Sequence, residues 1–266
     1  MKNRTLLNKP KKDRQTYGIL LADGTEIPLA CAAALTKNGV RIEAVVVGPG
    51  VTSNAIKALV KQLPNNPPSF KTARPDREPL ILDLMNENKI DLLFSCLYEH
   101  RIRKKLLRKA NRGGINIHTA VLPWNKGMHT SFWGIMDGTP LGATIHWMDE
   151  NLDTGDIVGQ AVFEDDAIMT AAEVKQRQLA LCVELFESYL PLILRNEAPR
   201  VSQPKGGSYH LRRDIEAATT FDDSDTFTMG KLLRLSRATN YGPHGFYIRV
   251  GDRKFKIQTS ISEVSS

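Results

Sequence analysis

Asn116 and His118 stand two residues apart in NIHTAVLPWNKG (116–127), inside an otherwise apolar segment. Along a strand successive side chains alternate faces, so Ile115 and Ile117 point one way while Asn116 and His118 share the other. The pair combines an amide, donor and acceptor at once, with an imidazole that gains or loses a proton near neutral pH. Gly113 and Gly114 precede it and Leu122-Pro123 follow, which places His118 where a strand gives way to a loop, the usual ligand end in α/β sheets. Taken alone, a strand-end histidine also reads as a structural residue satisfied by its surroundings.

The second cluster is HWMDENLDTGDIVGQ (146–160), where Asp149, Asp153 and Asp156 crowd a turn between two apolar strands. Asp149, Asn151 and Asp153 take alternating positions, as in a calcium loop. The register then puts Thr154 where that loop requires glycine and Gln160 where it requires a bidentate glutamate. That argues against calcium and leaves a solvated acidic turn. The histidines (His100, His118, His129, His146, His210, His244) show neither HExxH nor a helical i, i+4 pair, so no metal is expected. GPGVTS (48–53) imitates a dinucleotide loop poorly, because Pro49 lacks a backbone donor and the segment follows the second strand. In SYHLRRD (208–214), Tyr209 and His210 with Arg212 and Arg213 suit either a phosphate or an interdomain salt-bridge cluster.

These residues need a frame to hold them. TYGILLAD (16–23) and RIEAVVVG (41–48) read as strands around a helix from Ile27 to Asn38 that Gly39 stops, giving a β-α-β unit. Helical segments near 53–63 and 78–88 flank the loop PNNPPSF, and IDLLFSCL, GGINIH and ATIHWM supply further strands. Thr170 and Glu173 make a capping box for a long helix, bent or ended near Pro191. The fold expected is α/β: a Rossmann-like, mostly parallel sheet with helices on both faces, plus a small, partly β C-terminal module. The divisions expected are a basic tail (1–15), a catalytic domain (16–196), a linker (197–208) and the module (209–266), whose hairpin FYIRV-GDR-KFKIQTSI turns at Gly251-Asp252.

Composition narrows the class. A chain of 266 residues with 41% hydrophobic and 24% charged residues is an ordinary globular protein, and no apolar run approaches the roughly 20 residues of a membrane span. The N-terminal segment lacks the features of a secretory signal, and Cys31, Cys96 and Cys182 look like reduced core residues, so a cytoplasmic location is expected. A net charge of +7 admits a polyanionic partner, RNA or a phosphate-bearing small molecule, without choosing between them. The basic run RIRKKLLRKANR (101–112) spaces Ile102, Leu106 and Ala110 four apart, the buried stripe of an amphipathic helix, which favours a solvated face over a nucleic-acid patch.

Taken together, NIHTAVLPWNKG and WGIMDGTPLGATIHWMDENLDTGDIVGQ resemble the signature of the folate-dependent formyltransferases: N-x-H, then L-P, a basic residue with Gly, and a D-x-G-D turn some 35 residues past the His. The match spans roughly 60 residues and is closest to the nucleotide-sugar N-formyltransferases, which LPWNKG, Trp133 and GGSYHLRRD also fit. Lys126 for the usual Arg and Trp124 for Tyr are departures at substrate contacts. The resemblance implies N10-formyl-tetrahydrofolate as co-substrate and a nucleotide-linked amino sugar, such as a dTDP-amino-dideoxyhexose for surface polysaccharide, as acceptor. It puts the catalytic trio on Asn116, His118 and Asp153. The pterin would lie against His100, Arg101, Ile102, Met148 and Asp149, and the sugar nucleotide against Lys126, Trp133, Tyr209 and His210. A homodimer is expected, with neither membrane nor nucleic acid as partner. The alternatives are a methionyl-tRNA formyltransferase-like enzyme, or a basic RNA-binding protein whose polar trio is structural.

Overall fold

The computed structural model describes residues 15–24, 26–48, 50–71, 78–240 and 245–261; the basic tail up to residue 14, Pro49 and His244 lie outside them. β1 (Tyr17–Ala22), α1 (Glu26–Lys37) and β2 (Arg41–Val47) form the β-α-β unit, with Gly39 closing α1 at a φ of 69° that glycine adopts without strain. α2 (Ser53–Lys61), capped by Thr52, leads to β3 (Ser69–Lys71). That edge strand lies in the stretch read as loop. Pro64, Pro67 and Pro68 cannot donate to a ladder, but the three residues after them can, and they pair with Val45–Val47.

α3 (Glu78–Glu87), β4 (Leu92–Cys96), α4 (Lys104–Lys109) and β5 (Gly114–His118) follow. The helix expected over 101–112 is thus one short element. Arg103 is extended, and Asn111 and Arg112 leave the helix to donate their N–H groups to the Ile90 and Asp91 carbonyls. Leu106 and Ala110 are buried as their spacing predicts. β6 (Lys126–Gly127), α5 (Thr130–Asp137), β7 (Leu141–Trp147), β8 (Ile157–Phe163) and α6 (Ala171–Leu194) complete this part. The capping box at Thr170 and Glu173 is formed, and α6 runs three residues past Pro191 to Leu194.

The sheet order is β3-β2-β1-β4-β5-β7-β8, parallel as far as β5, with β7 and β8 antiparallel. Alternation along the strands feeds two cores. Leu20, Val45 and Phe94 pack with α1 and α6 on one face, while Ile19, Leu21, Val46 and Leu93 pack with α3 and α4 on the other. Ile115 and Ile117 belong to the first core. Asn116 and His118 therefore face the second side, where the α3–α4 layer covers β1, β2 and β4 and polar residues take over at β5 and β7. Cys31, Cys96 and Cys182 are buried and free.

Beyond α6 come β9 (Tyr209–His210), α7 (Asp214–Ala218), β10 (Thr220–Asp222), α8 (Met229–Thr239), β11 (Phe246–Val250) and β12 (Arg253–Ile257). β10, β11 and β12 form a small sheet whose hairpin turns at Gly251-Asp252, with Gly251 at φ 58°. Ala238 of α8 shares a core with Phe132, Ile135 and Val174, and the Arg237 guanidinium pairs with Asp165 and donates to the Met169 carbonyl. No helix among the described residues is long and apolar enough to cross a membrane.

Candidate active site

β5 and β7 pair antiparallel with Asn116 opposite His146, and the turn between β7 and β8 carries Asp153 back over the end of β5. Asn116 Nδ2 donates to Asp153 Oδ1 at 3.3 Å and lies 3.0 Å from His146 Nε2. His118 Nδ1 is 3.7 Å from Asp153 Oδ2, an ion-pair distance too long for a hydrogen bond. The Gly127 N–H donates to Asp153 Oδ2 at 2.9 Å. Sequence-distant residues 116, 118 and 153 are thus brought into one cluster, with His146 as a fourth member.

Backbone carbonyls fix the imidazole tautomers. His118 Nε2 is 2.9 Å from the Asn125 carbonyl and His146 Nδ1 is 2.9 Å from the Trp147 carbonyl; a carbonyl only accepts, so both nitrogens carry hydrogen. The remaining His146 Nε2 then accepts from Asn116, while a proton on His118 Nδ1 would point at the Asp153 carboxylate. Both Asn116 N–H groups are consequently engaged. Burial of the Asp153 carboxyl would raise its pKa, but the facing imidazoles, His118 first and then His146, and the Gly127 N–H outweigh burial and hold it well below the usual carboxylate range.

The cluster opens into a cavity of about 740 Å³. His100, Arg101, Ile102, Met148 and Asp149 all line it beside the trio. His100 Nε2 is buried with no hydrogen-bond partner among the described residues, which leaves it able to bind a polar ligand atom. Asp149 is occupied structurally: its carboxylate accepts the Asn151 N–H at 2.9 Å and the Thr154 hydroxyl at 2.7 Å, which shapes the turn. The cavity continues past the trio to Lys175 on α6 and to Tyr247 and Lys254 on the C-terminal sheet.

The other four residues gather away from this cavity. The Trp133 ring stacks on His210 at 3.9 Å and 6°, His210 Nε2 lies 3.3 Å from Asp137 Oδ2, and Lys126 pairs with Tyr209 in the β6–β9 ladder. None of Lys126, Trp133, Tyr209 and His210 lines the cavity. In SYHLRRD, Arg212 pairs with Glu99 and also lines the cavity. No group of three side chains that could hold a metal ion is assembled among the described residues.

A family model for formyl transferases matches residues 20–188, which span β1 to α6 and include the whole cluster. The chain belongs to the formyl transferase family. Three solved structures share its fold. A sugar N-formyltransferase from Shewanella is 19% identical, with a TM-score of 0.77 over 94% of this chain and 99% of that one. The formyltransferase PseJ from Anoxybacillus kamchatkensis, in complex with UDP-4,6-dideoxy-4-formamido-L-AltNAc and tetrahydrofolate, is 26% identical, with a TM-score of 0.56 over 75% and 88% of the two chains. An N-formyltransferase from Helicobacter canadensis, in complex with folinic acid and dTDP-3-aminofucose, is 20% identical, with a TM-score of 0.68 over 90% and 85%. As a formyltransferase, the chain needs a site for a formyl donor and another for its acceptor, and the cavity that holds Asn116, His118 and Asp153 is the candidate for both.

Sequence reasoning left two participants out. His146 falls on the same strand face as Thr144, seven residues before Asp153, and alternation alone could have flagged it. The Asn125 carbonyl under His118 had no sequence signal, since backbone acceptors have none.

Proposed function

We propose that this formyltransferase moves the formyl group of N10-formyl-tetrahydrofolate to the amine of a nucleotide-linked amino sugar, such as a dTDP-amino-dideoxyhexose for surface polysaccharide. The observation that carries this reading is the Asn116–His118–Asp153 cluster, brought together from β5 and the β7–β8 turn and lining one large cavity. The sugar nucleotides in two of the similar structures support the acceptor class.

In the reaction the amine nitrogen attacks the formyl carbon, a C–N bond forms and the carbonyl oxygen becomes an oxyanion that needs donors. Asn116 supplies one by trading its longer 3.3 Å bond to Asp153 while keeping the 3.0 Å bond to His146. The His118 ring, anchored through Nε2 to the Asn125 carbonyl, exchanges a proton at Nδ1, the nitrogen that faces the Asp153 carboxylate at 3.7 Å. The bond to folate N10 then breaks as the proton lost by the amine reaches that nitrogen. His100 and the backbone of 100–102 and 148–149 take the pterin, and the arm toward Lys175, Tyr247 and Lys254 takes the sugar nucleotide. Three buried free cysteines support a reducing, cytoplasmic setting. The half-exposed Val250 and Phe255 on the hairpin support pairing with a second copy.

The test offers purified protein N10-formyl-tetrahydrofolate with thymidine-, uridine- and guanosine-diphosphate amino sugars. Formation of an N-formyl sugar matched by loss of donor is the expected result. Consumption with none of them, or formylation of charged initiator tRNA instead, would overturn the reading.

A further inference from the structure

Residues 197–208 read as a linker by composition, yet they are bonded along both loops of the site. Val201 exchanges backbone bonds with Ile157, at 2.7 and 3.1 Å, and the Ser202 hydroxyl donates to Asp156 Oδ1 at 3.2 Å. Gln203 Nε2 spends its two hydrogens on the carbonyls of Asp153 and Gly155, each at 2.9 Å. Farther on, Ser208 Oγ accepts the Asn125 N–H at 2.8 Å, and the Ser208 carbonyl accepts the Lys126 N–H at 3.0 Å. One segment therefore grips the turn that carries Asp153 and the loop whose Asn125 carbonyl and Gly127 N–H touch His118 and Asp153.

The grip on the turn falls where the backbone needs it. Asp153 sits at φ 54°, a left-handed conformation that a side-chain-bearing residue keeps only when its surroundings hold it. Gln203 is also an uneconomical choice for packing. Its Oε1 is buried with no partner among the described residues, a desolvation cost that a thioether or hydrocarbon of similar size would avoid. What glutamine supplies here and such a side chain does not is the pair of N–H donors.

We propose that Gln203 is a positioning residue for formyl transfer: by holding the Asp153 and Gly155 carbonyls it aims the Asp153 carboxylate at Asn116 and His118. The role in turnover rests on the function proposed above; the role in geometry does not. Without the two bonds the turn relaxes, and Asp153 loses its alignment with the Gly127 N–H and the His118 ring.

The test compares the parent with Gln203→Met, which keeps the volume without the donors, and with Gln203→Ala. Steady-state kinetics should show kcat lowered about 10- to 100-fold in both, the size of effect that an ångström of misplacement produces. KM for donor and acceptor should stay within roughly threefold. Carboxyl 13C NMR, with the Asp153 resonance assigned by its absence in Asp153→Asn, should show the titration midpoint of Asp153 rising toward about 4 in Gln203→Met. The thermal midpoint should fall less in Gln203→Met than in Gln203→Ala, since the thioether keeps the volume while both variants lose the same two bonds. A parental kcat in Gln203→Met overturns the proposal, as does an Asp153 midpoint that does not move. Absence of formyl transfer in the parent itself would sink the proposed function, and the NMR comparison would still decide what Gln203 does.

Discussion

Asp153→Asn removes one buried charge at almost constant volume. The carboxylate accepts the Gly127 N–H at 2.9 Å and the Asn116 N–H at 3.3 Å, and a hydrogen bond to a charged group is worth roughly 1.5–3 kcal/mol. Desolvating the carboxylate offsets part of this, so the net loss at neutral pH is about 2 kcal/mol, or roughly 4–8 °C of thermal midpoint for a chain this long. The pH dependence fixes the sign. The folded carboxyl lies well below its unfolded value of about 4, so its contribution is fully present above that pH and is lost as pH falls toward the folded pKa. Between pH 6 and pH 3 the gap between parent and variant should shrink by about 1 kcal/mol, since each unit below the unfolded pKa removes roughly 1.4 kcal/mol. Thermal unfolding of both proteins across that range at constant ionic strength measures the gap. A gap undiminished at pH 3, or a variant more stable than the parent at pH 6, would refute the claim that the site holds an ionised carboxylate.

His146→Ala takes away the acceptor 3.0 Å from Asn116 Nδ2, and kcat for formyl transfer should fall roughly tenfold with KM little changed, as steady-state kinetics on both substrates would show. Gly155→Ala would place a Cβ 1.8 Å from the Trp147 carbonyl oxygen, backbone that has no room to give. Urea unfolding should register a loss of about 3 kcal/mol, and activity should be lost with it. Ser208→Ala leaves the Asn125 N–H and Oδ1 without their partner at 2.8 and 3.1 Å. It should cost about 1–2 kcal/mol in the same measurement.

The parallel half of the sheet was legible because its strands are apolar runs broken by Gly and Pro, and helix α6 because Thr170 and Glu173 announce its start. Asn116 and His118 could be placed on one face by counting residues, since alternation is a local rule. The sequence did not reveal that β7 and β8 turn antiparallel, because direction depends on how the chain returns from α5 rather than on any residue within the strand. It also over-extended α4: Ile102 fits the apolar spacing but precedes the extended Arg103, and after Ala110 the N–H groups of Asn111 and Arg112 go to the Ile90 and Asp91 carbonyls. Lys126, Trp133, Tyr209 and His210 gather with one another and not along the cavity, since aromatic and basic residues pack together as readily as they receive a ligand.

The acidic turn is a motif whose shape is local and whose aim is not. Asp149 ties down Asn151 and Thr154, and Gly155 passes too close to the Trp147 carbonyl for any side chain, so the spacing D-x-G is dictated within the turn itself. Those constraints set the shape of the turn and say nothing about where it points. Its direction comes from Gly127, 26 residues earlier in the chain, whose N–H reaches the Asp153 carboxylate, and from Gln203, 50 residues later, whose side-chain amide holds the Asp153 carbonyl. A carboxylate aimed by two distant segments moves whenever either is disturbed. Formyl transfer should therefore respond to changes in the 201–208 segment that touch neither donor nor acceptor.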